Sequence, residues 1–336
     1  MKTKVCITVD TEFSIAGALG PPFTDYPVSD PFVWCWIDGR SHGLGFLLDS
    51  FMRYETKATF FVEALHRNYF SHDPMAKAVT AIKAAGQDIQ LHLHPCWTVF
   101  RRANWRELVT AEPRQDDFAG RPVEDCVALI RQGSELFCDW GLQTPQLLRT
   151  GGLQHGMNIY QAMAQTGLTA ASNIGLAIYR CGDPDFDVYS GAHQFAGVLE
   201  FPVLSYEDAS FGRLKSLTIT GSSFREIEFL LWQAYRASLP VVVILTHPFE
   251  YAQGYDQQFR GARPHRLNQS KLTRLCQFLQ THHDHFEAAS LPAALASFPA
   301  DRIGENRMLK SPLPIALARL AGNALYEQGS TFLGVY

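Results

Sequence analysis

The sequence predicts an α/β fold, a parallel sheet or barrel with helices packed outside it. Two observations predict this. Short apolar runs bounded by polar or turn residues recur at 5–9, 58–62, 88–91, 147–148, 197–201 and 241–245, with helix-periodic segments between them. Such alternation is the pattern of repeated βαβ units. The run Val241-Val242-Val243-Ile244-Leu245 is apolar at every position, as a strand covered on both faces should be.

In chain order, the first strand closes on Thr8-Val9-Asp10-Thr11-Glu12. A helix over 44–53 leads to the strand at 58–62, and a helix over 74–85 to the strand at 88–91, which runs into Gln90-Leu91-His92-Leu93-His94-Pro95. A helix over 123–140 precedes the strand 147–148, followed by Arg149-Thr150-Gly151-Gly152; a helix over 159–166 follows. The most apolar strand ends on Thr246-His247-Pro248. Three segments resist the pattern: 13–43 with Trp34 and Trp36, 97–122 with Trp97, Phe100 and Trp105, and 249–268 with Tyr251 and Tyr255. Long loops in a compact domain are functional or disordered, and aromatic content favours the first. From 301 onward the alternation stops, and 313–328 reads as one added helix. The expected organisation is a domain over 1–300 with a helical extension over 301–336.

Composition narrows the function. The 336 residues, 46% hydrophobic, suffice for one large core. A net charge of −4 without a long basic run excludes nucleic acid as a partner, because phosphate binding needs concentrated positive charge. No apolar run approaches the roughly 18 residues of a transmembrane segment, and the first residues lack the pattern of a secretory signal. Seven cysteines without a C-x-x-C pair suit a reducing compartment. A cytoplasmic location is expected.

Four strand ends carry the residues that can do chemistry. Asp10 and Glu12, two apart, project to one side if the extended geometry persists. Two adjacent carboxylates bind a cation or share a proton; alternatively the segment is an ordinary strand-ending turn. The H-x-H pair His92 and His94 can share one metal, and with a carboxylate makes the three protein ligands of a catalytic zinc. Arg149 before two glycines can hold a carboxylate bidentately, or be a surface arginine before a turn. His247 stands where barrel enzymes carry catalytic groups, or is a buried structural histidine. Each site closes a separate strand, so a barrel would gather them at one rim, and that convergence argues for an active site. His282, His283 and His285 fall where a solvated loop is expected and are read as structural.

With those residues in view, the chain resembles the polysaccharide deacetylases (NodB-homology carbohydrate esterases of family four). Thr8–Glu12 resembles the first motif, T-F-D-D; Lys-Ala-Thr-Phe-Phe-Val-Glu-Ala over 57–64 resembles the A-T-F-F-V strand. GQDIQLHLHP resembles the second motif, LLRTGG the R-x-x-x-G region, and LTHP the closing L-x-H motif, all in the family's order. The resemblance implies a distorted (β/α) barrel and a divalent metal, zinc above all, held by one acid and two histidines. It implies Asp10 as general base, His247 as general acid, Arg149 as the tether of Asp10, and His92 as the first metal histidine. The sequence also departs from the family. Thr11 stands where the metal-binding aspartate is usual, leaving Glu12 and Asp10 as alternatives for the carboxylate ligand. Cys96 stands where the second metal histidine is usual, so His94 takes that place, with Cys96 a further soft donor. Glu200-Phe201-Pro202 occupies the region of the family's groove motif.

The implied activity is hydrolysis of an N-acyl group on an amino sugar of a polysaccharide or its precursor. The alternatives are an amidohydrolase or deformylase acting on a small or lipid-linked amide, and a catalytically inactive carbohydrate-binding relative.

Overall fold

The structure, a computed structural model, describes residues 2–111, 116–208, 212–317 and 319. Its main sheet, nine-stranded among the described residues, comprises β1 (Thr3–Thr11), β2 (Ala58–Glu63), β3 (Asp88–Leu93), β4 (Leu147–Thr150), β5 (Ala170–Ala171), β6 (His193–Phe195), β7 (Val198–Glu200), β8 (Val241–Thr246) and β9 (Phe286–Ala288). The order is β8-β1-β2-β3-β4-β5-β7-β6, with β9 pairing the first residues of β1. All pairings are parallel except the β6–β7 hairpin. Parallel bridges from Val203 to Val243 and from Thr218 to Leu245 run along β8. The sheet is thus curled into a distorted barrel, as the resemblance implies.

Side-chain alternation explains why these strands are doubly buried. In β1, Val5, Ile7 and Val9 join the large core between sheet and helices, whereas Cys6 joins a smaller cluster with Phe61, Leu147, Phe201, Val243 and Leu245 inside the curl. The outer layer consists of α1 (Leu44–Arg53), α2 (Met75–Ala84), α3 (Val123–Asp139), α4 (Met157–Thr166), α5 (Phe224–Arg236) and α6 (Arg266–Thr281). Their apolar stripes supply Leu47, Phe51, Ile82, Ile130, Ile159, Leu230 and Leu275 to the large core. The capping box at the start of α5 is complete: Ser223 accepts from the Glu226 amide and Glu226 reaches back to the Ser223 amide.

Two expectations change. The run at 197–201 is the second arm of a hairpin, turned at Ala196 and Gly197, both at positive φ (48° and 85°). That turn needs two left-handed residues, and Ala-Gly gives a weak signal beside Asn-Gly. After residue 300, Leu309–Ser311 forms a strand parallel to Ser205–Asp208, which also pairs antiparallel with Arg213–Ser216. The helix expected over 313–328 is present at 313–317 and 319; its other residues lie outside those described. Arg319 forms ion pairs with Asp208 and Glu226.

The three aromatic loops hold one another. Ser14 and Val28 form an antiparallel bridge across the base of the first. Arg106, in the helix Trp105–Ala111, donates to the Phe23 carbonyl (2.8 Å), and Gln258 donates to the carbonyls of Ala16 (3.2 Å) and Tyr26 (3.0 Å). Phe32 stacks on Phe249 at 4.3 Å between ring centres. Trp34 and Trp97 are buried, whereas Trp36 is half exposed.

Candidate metal and catalytic site

Because the strands run parallel, β1, β3, β4 and β8 end on one rim of the curl. Asp10, Glu12, His92, His94, Arg149 and His247 are all at or just beyond those ends. They fall into two neighbouring groups.

The first group is Glu12, His92 and His94. Glu12 Oε2 lies 2.8 Å from His94 Nε2 and 3.3 Å from His92 Nε2, and one ligand atom from each residue lies within 4.8 Å of the others. Both remaining ring nitrogens are occupied. His92 Nδ1 donates to the Arg149 carbonyl (2.9 Å), and His94 Nδ1 is 2.9 Å from Asp116 Oδ2. These outer contacts fix both rings with Nε2 turned toward Glu12, the arrangement by which proteins orient metal-ligating histidines, and a cation there would displace the proton that His94 Nε2 shares with Glu12. Asp116 also accepts from the Cys96 amide (3.1 Å), so one carboxylate fixes both the ring and the turn after it. Asp116, His94 and Cys96 form a second close group.

Gly151 makes this packing possible. A Cβ there would lie 2.3 Å from His94 Nδ1, so any side chain at 151 would displace the ring. Glu63, fully buried at the end of β2, accepts from the Leu65 (2.9 Å), His66 (2.7 Å) and His94 (3.3 Å) amides.

Electrostatically the first group is a strongly coupled acid–base cluster. Burial alone would raise the Glu12 carboxyl, but the His94 and His92 imidazoles and their hydrogen bonds hold it well below the usual carboxylate range. Burial would likewise lower His94; the charges of Glu12 and Asp116 hold it well above the usual imidazole range.

The second group is Asp10, Arg149, His247 and Glu250. Arg149 is completely buried; its Nη1 donates to Asp10 Oδ1 and to Thr8 Oγ1, both at 2.8 Å. Its other donors serve the Ser172 carbonyl (2.9 Å) and hydroxyl (2.6 Å), and its guanidinium lies 4.4 Å from the centre of the Phe61 ring. The arginine therefore grips Asp10 by one oxygen, not through the bidentate fork the sequence suggests. The second oxygen, Oδ2, faces His247 Nε2 at 3.9 Å. Asp10 and Glu12, close in sequence, thus turn to different partners.

His247 is held from behind. Its Nδ1 lies 3.1 Å from Glu250 Oε1, and its amide donates to Glu250 Oε2 (3.0 Å), which also accepts from Thr246 Oγ1 (2.7 Å). Burial would lower the imidazole, but the Glu250 charge and hydrogen bond, with Asp10 and Glu12 behind them, hold it up to about 9. That favours the protonated imidazole at neutral pH, with Nε2 on the side of Asp10.

Sequence reasoning singled out Asp10, Glu12, His92, His94, Arg149 and His247, with Cys96 as a further donor, and missed Glu63, Asp116 and Glu250. Glu250 did leave a signal: a proline and then a glutamate three positions after His247 is the pattern of a capped helical turn. Glu63 follows Phe61 at strand spacing, toward the rim. Asp116 carries no local pattern. Glu200 is fully buried, accepting from the Asn173 (2.9 Å) and Ile174 (3.0 Å) amides and the Tyr160 hydroxyl (3.0 Å). Burial raises its carboxyl to about 7.

No known family model and no curated protein matches the chain. Solved structures do match. A Mycobacterium smegmatis protein named as a candidate polysaccharide deacetylase superposes with a TM-score of 0.50 at 16% identity, over 93% of this chain and 96% of that one. The fold is that of a polysaccharide deacetylase. Looser likenesses to the deacetylase fold include a family 4 carbohydrate esterase from Streptomyces lividans (TM-score 0.39, 13% identity, 84% of this chain and 90% of that one). The Bc1960 peptidoglycan N-acetylglucosamine deacetylase matches with a TM-score of 0.43 at 15% identity, over 87% and 88% of the two chains. No helix among the described residues is long and apolar enough to cross a membrane.

Proposed function

We propose that the chain is a divalent-metal-dependent hydrolase that removes the N-acyl group of an amino sugar in a polysaccharide precursor. The observation that carries this reading is the pairing of the two groups on one rim. Two imidazole nitrogens and a carboxylate oxygen converge beside an arginine-tethered aspartate that faces a glutamate-backed histidine.

The donor set suits zinc, whose catalytic sites take three nitrogen or oxygen ligands and keep one position open. Glu12, His92 and His94 would hold the ion, and the outer contacts of both rings favour them over Asp10, whose Oδ1 is committed to Arg149. The bound metal supplies Lewis acidity and lowers the pKa of water toward about 7.

The chain's own residues divide the remaining work. Asp10 takes a proton through Oδ2 from the water that attacks the acyl carbon, while Arg149 fixes its orientation. A C–O bond forms; the C–N bond then breaks, and the departing nitrogen takes the Nε2 proton of His247. Glu250 keeps that proton in place until the amine needs it. The products are a carboxylate and an amino sugar; of the two protons left on Asp10 and the new carboxyl, one restores His247 and the other passes to the amine or to solvent.

The test combines metal analysis with a screen for carboxylate release. The zinc-loaded chain should liberate one carboxylate per amine from N-acylated hexosamines, including nucleotide- or lipid-linked ones. Full zinc occupancy with no release from any of these would overturn the reading in favour of a binding protein.

A further inference from the structure

Beside the metal group lies a cavity of about 370 Å³, lined by residues 12–17, 19 and 20 with Phe32, His94, Cys96 and Trp97. That volume falls within the range of small-molecule pockets and far exceeds what a methyl group fills. The side chains in its lining are mostly apolar, among them Phe13, Ile15, Leu19, Phe32, Cys96 and Trp97, with polar surface exposed between them. The polar side chains in the lining are Glu12, His94 and Ser14. The first two belong to the metal group, and Ser14 Oγ accepts from the Ala16 amide (3.0 Å).

The placement also indicates which half of the substrate enters. The cavity touches Glu12 and His94 but neither Asp10 nor His247. The leaving nitrogen must approach His247, so the acyl carbon's other substituent points toward the cavity. The walls are held in place: the bridge between Ser14 and Val28 closes the base of the loop, Gln258 pins Ala16, and Phe32 rests on Phe249.

From this we infer that the acyl group is an unbranched apolar chain longer than acetyl, seated in this cavity. The inference rests on the hydrolase reading above. Each buried methylene contributes about fourfold to binding, so four added methylenes are worth on the order of 100-fold.

The experiment compares kcat/KM of the zinc-loaded full chain on N-acetyl-, N-butanoyl- and N-hexanoylglucosamine. Hexanoyl should exceed acetyl by on the order of 100-fold. Gly20→Phe should then lower the hexanoyl-to-acetyl ratio by about tenfold or more. Position 20 has room for a side chain, because a Cβ there meets only the Gly17 carbonyl at 3.8 Å. Should that variant fail to fold, Leu19→Trp, which enlarges another residue of the lining, takes its place. A preference for acetyl, or an unchanged ratio in the folded variant, overturns the inference and leaves the hydrolase reading standing. If no acyl sugar is cleaved, the hydrolase reading fails, and calorimetry with hexanoate against acetate decides the cavity. Tighter hexanoate binding that Gly20→Phe weakens sustains an apolar-chain site; equal or absent binding ends it.

Discussion

The two histidine groups on the rim use the same ingredients, imidazole against carboxylate in a buried setting, and arrive at different chemistry. At His92 and His94 the carboxylate sits on the Nε2 side, so two rings converge on one oxygen of Glu12 and their other nitrogens are locked by the Arg149 carbonyl and Asp116. At His247 the carboxylate sits on the Nδ1 side, and Nε2 points out toward Asp10. Where acceptors gather, a cation is the natural occupant. Where a single ring is backed from behind, its far nitrogen holds a proton to give. What separates the two is convergence: two Nε2 atoms meet one oxygen of Glu12, whereas His247 Nε2 meets no second ring and stands 3.9 Å from Asp10.

The most severe way to break the comparison is to remove a converging ring. His92→Ala should lower zinc affinity by well over about 100-fold, beyond the range for an outer-contact loss, and abolish hydrolysis; full zinc occupancy by mass spectrometry would sink the ligand set. Asp10→Asn should cut kcat by about 10²- to 10⁴-fold, the usual worth of a general base, with zinc content unchanged. Loss of zinc in that variant would make Asp10 the carboxylate ligand in place of Glu12. Gly151→Ala pushes on the His94 ring and should weaken zinc binding by about 10- to 100-fold, while the fold, followed by circular dichroism, is retained.

Smaller and more specific is the effect of Glu250→Gln. In the proposed mechanism His247 must be protonated to serve as the acid, and its pKa is raised to about 9. Activity should therefore be present below that pH and be lost as pH rises through it. Removing the Glu250 charge, the largest raising influence, moves the alkaline limb of the kcat profile downward. An alkaline limb that stays in place would show that another group sets it.

How much of this was legible follows from how each residue is held. The parallel strands were, since Val241–Thr246 and Ala58–Glu63 are mostly apolar, sharply bounded and buried at every position. Asp10, His92, Arg149 and His247 were, because each ends such a strand. The two-residue β5 and the β6–β7 hairpin were not; too few residues carry the alternation, and Ala196 hides its left-handed turn. Asp116 reaches His94 from a loop 22 residues away, and no spacing rule connects them. Register along a strand is written locally, whereas the partner that fixes a ring is chosen by the fold.

The histidine-rich stretch near residue 283 supplies the mildest test. His282 and His285 pack edge-on against Trp232 at 5.3 and 5.1 Å, and His283 stands in solvent beside Asp284. Among the described residues these rings are in none of the groups whose ligand atoms approach one another. Three histidines in four positions therefore make no convergent donor set, because their rings face an indole and water. His283→Ala should leave zinc stoichiometry and kcat unchanged and shift stability by no more than about 0.5 kcal/mol, as for an exposed substitution. A drop in bound zinc would mean that spacing in sequence, without convergence in the fold, can suffice to hold the ion.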